Sequence, residues 1–214
     1  MGHLSEYRLY QLINDFNFKS NYFIESGTYN GRSIIPIAKC FNLNCHTIEI
    51  IEELSNSTKN KALNSGIKNI EFHIGDTVNL LSDIIDKIDE DNIIIFLDAH
   101  SSGYASDNID TIHEDSKKVM KGIEKKKDDY KYSCDIRINK LSNYEVPLLE
   151  ELKIISKFNK NFLIIVDDFD LFGKDTEYAD WKEIEFKKCL DFFQNKEYKT
   201  YENPAQLIIR TYKK

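Results

Sequence analysis

Five short runs rich in β-branched and aromatic residues, separated by stretches with helical spacing, most constrain how this chain folds. The runs are Tyr22-Phe23-Ile24, Cys45 to Ile50, Ile70 to Ile74, Ile93 to Leu97 and Phe162 to Val166. Such alternation signals βαβ units and a parallel sheet. Ile93-Ile94-Ile95-Phe96-Leu97 and Phe162-Leu163-Ile164-Ile165-Val166 are apolar without alternation, so helices must cover both of their faces. These two runs belong at the centre of the sheet.

The spacing places helices at about 3–17, 31–42, 52–64, 77–89 and 147–159, the last with Leu148, Leu149, Leu152 and Ile155 on one face and Pro147 at its first turn. Trp181 to Phe193 reads as a further helix, and Tyr198 to Tyr201 and Gln206 to Tyr212 as paired strands about the turn Glu202-Asn203-Pro204. The length of 214 residues fits a single domain, residues 1–214. The regular spacing breaks once, at an insertion of about residues 101–145, too long for a bare connection. Within it Ile109, Ile112, Ser116, Val119, Met120 and Ile123 keep helical spacing while Lys117, Lys118, Lys121 and Lys125 to Lys127 face elsewhere. A lid over a site and a charged surface segment are both compatible with that pattern.

A net charge of −7 argues against a broad phosphate-binding face, so a nucleic-acid partner is not expected and a small-molecule partner is. No run approaches the roughly 20 apolar residues that span a bilayer, and no apolar signal-peptide core opens the chain, so no membrane association is expected. Glu6 stands where a myristoylation motif after Met1-Gly2 wants Ser or Thr. Cys40, Cys45, Cys134 and Cys189 form no CxxC pair and have no histidines at zinc spacing, so they read as reduced thiols of a cytoplasmic protein. The sequence leaves a homodimer open.

The first run continues into Glu25-Ser26-Gly27-Thr28-Tyr29-Asn30-Gly31-Arg32-Ser33, a glycine-bearing turn that opens the next helix. Free backbone N–H groups and the helix dipole at such a turn favour an anionic ligand group, a carboxylate as well as a phosphate. The glycine spacing departs from the Gly-x-Gly-x-x-Gly of dinucleotide-binding loops, which disfavours a nicotinamide-dependent oxidoreductase. Glu49 ends the second run in Thr47-Ile48-Glu49, and Asp76 comes after the third in His73-Ile74-Gly75-Asp76. Either acid alone reads equally as a helix N-cap.

The fourth run ends Phe96-Leu97-Asp98-Ala99-His100 and the fifth Val166-Asp167-Asp168-Phe169. Carboxyl ends of neighbouring parallel strands converge on one crevice, so Asp98, Asp167 and Asp168 could share a small volume. Unpaired, that charge is costly, and a hard cation is the simplest remedy. His100, two residues past Asp98, is the nearest candidate base, although a local hydrogen bond would explain it equally. His113 lies in the insertion, and Asp170 reads as a turn residue. Tyr104, Tyr130, Phe172 and Trp181 are candidates to line an acceptor pocket or simply to pack.

The segment from Glu25 to Ser33 resembles motif I of class I S-adenosylmethionine-dependent methyltransferases, in the Glu-x-Gly-Thr-x-x-Gly form of small-molecule O-methyltransferases. The resemblance spans about residues 20–170 and implies a Rossmann-like α/β fold: a mostly parallel, twisted seven-stranded sheet with helices on both faces, closed by a C-terminal antiparallel hairpin. It assigns S-adenosylmethionine to Glu25, Gly27, Thr28, Gly31, Ser33, Glu49, Asp76 and Asp98, with Glu49 accepting the ribose hydroxyls and Asp76 or its neighbours meeting the adenine. Asp98 with Asp167-Asp168 resembles the metal site of the Mg²⁺-dependent O-methyltransferases, both the catechol and the macrocin-type deoxysugar kinds, and Pro147-Leu148-Leu149-Glu150-Glu151-Leu152 is similar to their preceding helix. The resemblance thus implies Mg²⁺-assisted methyl transfer to a hydroxyl of a small molecule such as a sugar or sugar nucleotide, with Asp98 and His100 catalytic and Asp98, Asp167 and Asp168 holding the metal. The competing expectation is a non-catalytic binding or scaffold protein that keeps the fold.

Overall fold

In the computed structural model, which describes residues 3–100, 142–176 and 179–213, the five apolar runs become β1 (Tyr22–Ser26), β2 (Asn44–Glu49), β3 (Ile70–Ile74), β4 (Asn92–Leu97) and β5 (Asn161–Val166). The helices that connect them are α2 (Ile34–Cys40), α3 (Glu52–Asn64), α4 (Thr77–Lys87) and α5 (Leu148–Ile155), with α1 (Glu6–Asp15) ahead of β1. α1 starts at Ser5, whose hydroxyl accepts from the backbone N–H of Arg8, and α4 starts at Asp76, whose carboxylate accepts from that of Val78. Residues 101–141, with Tyr104, His113 and Tyr130, lie outside the described residues, so neither reading of the insertion is decided there.

The seven strands form one sheet in the order β3-β2-β1-β4-β5-β7-β6, where β6 is Lys196–Glu202 and β7 is Ala205–Thr211. The first five are parallel to one another; β7 runs antiparallel to β5 and to β6, the expected closing hairpin. Strand order reverses between β1 and β4, where a parallel α/β sheet opens a crevice at its carboxyl edge.

The non-alternating run of β4 is explained by its two neighbours. Ile93, Ile95 and Leu97 point into one apolar cluster with Leu81 and Ile85 of α4 and Leu152 and Ile155 of α5. Ile94 and Phe96 point into the other, with Leu9 and Leu12 of α1 and Ile34 and Ile37 of α2. The five side chains from Ile93 to Leu97 are all buried, which fixes β4 as the keel of the sheet.

One expected helix is shorter than its pattern. Only Phe186–Asp191 is helical (α6), not Trp181 to Phe193. The backbone N–H of Trp181 donates to the carbonyl of Lys174, and its carbonyl accepts from Gly173 and from Ile184, so this stretch makes a turn paired with residues 173–174 ahead of the helix. Trp181 instead buries its ring against Phe172 and His100.

Candidate active site

Strand register decides what reaches the crevice. Ser26 stands beside Ile48 and Leu97, Glu49 beside Ile74, and Leu97 beside Val166, so the residues that come next emerge along one edge. The chain is tied there by Gly27 N–H to Ile48, Asp98 N–H to Ser26, Gly75 N–H to Glu49 and Asp167 N–H to Leu97. A cleft of about 1120 Å³, counting its open mouth, lies on this edge. Gly27, Thr28, Ser33, Glu49, Asp76, Asp98 and His100 are all on its wall.

Gly27 has φ of +84°, and a Cβ there would stand 2.5 Å from the carbonyl oxygen of Asp98. Only glycine lets the first turn lie this close to the end of β4. Gly31, at φ +77°, serves a different contact: a Cβ would strike the methyl of Thr58 in α3, and Gly31 is not on the cleft wall. Between them Tyr29 also adopts a left-handed backbone, at φ 45°. Its N–H donates to Glu49 Oε2 at 2.7 Å, while Ile51 N–H donates to Oε1 at 3.0 Å. The backbone N–H of Ile50 adds to these two. Burial raises the pKa of Glu49 against the pull of these N–H groups.

Glu25 lies beneath the cleft, 1% exposed, and is not on its wall. Thr47, its register partner on β2, donates to Glu25 Oε2 at 2.7 Å and stands 2.6 Å from the Thr28 hydroxyl. Burial pushes the Glu25 carboxyl well above its ordinary range, against the pull of the Thr47 hydroxyl. Thr47 carries no motif and becomes visible only once β1 and β2 are in register. Ser33 accepts from the backbone N–H of Leu4 and so fastens the N-terminal segment to the same turn. Asp76 caps α4 and also lies on the cleft wall.

Beyond β4 and β5 the acids sort unequally. His100 Nε2 is 2.8 Å from Asp168 Oδ2 and 3.5 Å from Asp98 Oδ1, and these three residues offer ligand atoms within 4.8 Å of one another. Asp168 makes this reach from a left-handed backbone, φ 53°. Burial opposes a charge on His100, but the hydrogen bonds and charges of Asp168 and Asp98 outweigh it and lift its pKa to about 10. With its proton favoured in this way, His100 is poorly placed to act as a base while both carboxylates face it. Asp167 is not part of this group: it is 3% exposed, its Oδ2 has no hydrogen-bond partner, and burial followed by the charges of Asp98 and Asp168 raises it to about 7. Asp170 is exposed in a short 3₁₀ turn.

A further buried acid was not singled out by the sequence as a site residue. Glu151, in the first turn of α5, is 1% exposed under the same edge, beside Ser26 and Thr77. Its Oε1, the Ser26 hydroxyl and the Thr77 hydroxyl make no well-aligned hydrogen bond. Burial lifts its pKa to about 7. The signal that could have found it is a charge on the apolar face of a helix, but Glu150 beside it is partly exposed and pairs with Lys153, which disguises the pattern.

Among solved structures the chain is similar to a Klebsiella pneumoniae protein assigned as an O-methyltransferase, at 12% identity and a TM-score of 0.55, over 96% of this chain and 78% of that one. It is also similar to monomeric WbdD, at 11% identity and a TM-score of 0.51, over 94% of this chain and 38% of that one. At these identities the likeness is one of fold, and the fold is that of the class I methyltransferases. No protein-family model and no curated protein matches the sequence. Among the described residues no helix is long and apolar enough to cross a membrane.

Proposed function

We infer that this chain transfers a methyl group from S-adenosylmethionine to a hydroxyl oxygen of a small molecule, a sugar or sugar nucleotide by class, with help from a divalent ion such as Mg²⁺. One observation carries the reading: Gly27, Glu49, Asp76 and Asp98, from four separate strand ends, face a single cleft at the point where strand order reverses. A nucleoside needs an acidic acceptor for its ribose, and Glu49 stands on the wall with its carboxylate held by backbone N–H groups. Ile48, Ile51 and Leu54 supply apolar wall beside it for a base. Gly27 adds no side chain to the cleft wall beside Asp98.

Asp98 and Asp168 form a two-carboxylate donor set that fits a hard divalent ion, and the His100 proton balances their charge otherwise. When bound, such an ion supplies Lewis-acid polarisation of the acceptor hydroxyl and lowers its pKa. With Asp98 and Asp168 engaged by such an ion, His100 would release its proton to solvent and would then be able to take that of the hydroxyl. The acceptor class rests on the resemblance of Asp98 and the Asp167-Asp168 pair to the deoxysugar enzymes.

Calorimetric titration with S-adenosylmethionine, followed by transfer of labelled methyl to a panel of sugars and sugar nucleotides, tests the proposal. Binding in the micromolar range and label in an acceptor are expected; no binding at millimolar ligand overturns the cofactor assignment. Tight binding with no labelled acceptor would favour a binding protein on the same fold.

A further inference from the structure

On the face of β2 opposite Thr47, three donors converge that methyl transfer does not use. His46 on β2 is in register with Glu71 on β3, and His73 lies two residues beyond Glu71, so all three side chains stand on one face of the sheet. His46 Nδ1 is 3.1 Å from His73 Nε2. Glu71 places one carboxylate oxygen 3.6 Å from His46 Nδ1 and the other 3.8 Å from His73 Nε2. These carboxylate distances exceed hydrogen-bonding range, so the glutamate closes the group without being bonded to either ring.

A tetrahedral ion with bonds near 2.1 Å holds its ligand atoms ~3.4 Å apart, close to the spacing seen here. Two imidazoles and one carboxylate are a donor set for a borderline transition ion, with a fourth position left to water. The set is also shaped for entry from solvent: the histidines are mostly buried, at 15% and 18% side-chain exposure, whereas Glu71 is 67% exposed. Tyr22 stacks on the far side of His46 and limits how its ring can turn. Burial lowers the pKa of both histidines, with the charge of Glu71 opposing it and that of Lys87 adding to it.

We propose that His46, His73 and Glu71 form a second metal site, separate from the cleft, that takes Zn²⁺ or a similar transition ion and pins β3 to β2. β3 ends the sheet, where a strand has one partner only, and an ion across the pair ties it down at a point the ladder does not. Without an ion the two rings share a single N–H···N hydrogen bond, which is the competing arrangement.

The test is titration of chelator-stripped, full-length protein with Zn²⁺, and with Co²⁺ for its visible absorption. The wild type is expected to bind one equivalent that His73→Ala and His46→Ala bind at least tenfold more weakly, while Asp168→Asn keeps it. Methyl transfer should be unaffected in His73→Ala. Zn²⁺ should also shift the imidazole ¹⁵N resonances of His46 and His73, a readout that holds even if a variant fails to fold. No shift of those resonances in the wild type, or unchanged stoichiometry and affinity in folded His73→Ala, overturns the site and leaves a hydrogen-bonded pair.

Discussion

A side chain on Gly27 would occupy the place of the Asp98 carbonyl: the Cβ would sit 2.5 Å from that oxygen and 2.9 Å from its carbon. The loop after β1 and the end of β4 are thus one packed unit, and both obstructing atoms are backbone. Gly27→Ala must move the turn away or force φ from +84°. A left-handed backbone costs a non-glycine residue roughly 1–2 kcal/mol before any clash is counted. We expect loss of about 2 kcal/mol in urea unfolding and at least tenfold weaker binding of S-adenosylmethionine by calorimetry. Gly31→Ala meets a methyl group and not backbone, and should leave ligand affinity closer to the wild type.

The pairing of His100 with Asp98 and Asp168, leaving Asp167 aside, separates two donor sets by experiment. Asp168→Asn and Asp98→Asn are expected to lower turnover at least a hundredfold and to remove its sensitivity to a chelator. Cofactor affinity should survive Asp168→Asn, because Asp168 is not on the cleft wall. Asp167→Asn substitutes a neutral group of the same shape for a buried acid with an unpartnered oxygen. Its turnover should stay within a few-fold of the wild type. Equal collapse of activity in Asp167→Asn would restore the donor set read from the sequence.

How much of this was legible in the sequence depends on which interactions are local. The strands, their carboxyl-end acids and the glycine turn are short-range patterns, so Ile93 to Leu97 announced a doubly covered strand and Asp98 a strand-end acid. Cross-strand relations were not readable. Thr47 matters because register sets it opposite Glu25, and the group of His46, Glu71 and His73 exists only because β2 and β3 pair as they do. The left-handed turn at Asp168, which sends its side chain to His100, also has no signature in Val166-Asp167-Asp168-Phe169. The tail from Trp181 read as a helix because its apolar spacing suits one, yet backbone pairing with Gly173 and Lys174 decided otherwise.

Glu151 makes the stability of the fold depend on pH. Its pKa in the folded chain is raised from 4.5 to about 7, burial being the largest cause, so the folded state holds a proton that the unfolded state releases. Stability from this group is fully present below pH about 4.5, declines as pH rises through 7, and is flat above that. The shift corresponds to a loss on the order of 3 kcal/mol across the window. Glu151→Gln keeps the shape and stays neutral, so urea midpoints at pH 8 should exceed those of the wild type, and the two proteins should converge near pH 5. A wild-type advantage at pH 8 would show that the ionised carboxylate is well bound there.

Thr47 tests whether the floor of the cleft holds its roof. Its hydroxyl links the buried Glu25 carboxyl to the Thr28 side chain, at 2.7 Å and 2.6 Å. Thr47→Val preserves volume and β-branching, so strand propensity and packing stay nearly constant. What changes is that two polar groups, 1% and 3% exposed, lose that partner at a depth bulk water does not reach. Such groups cost about 1–3 kcal/mol when left unsatisfied. We expect destabilisation in that range by urea denaturation, together with weaker binding of S-adenosylmethionine, since Thr28 is on the cleft wall. The double variant Thr47→Val/Glu25→Gln should show coupling: with Glu25 already altered, the valine should cost less than it does alone. Strict additivity would mean that Glu25 and Thr47 do not act on each other, and the cleft floor would have to be held by the strand ladders alone.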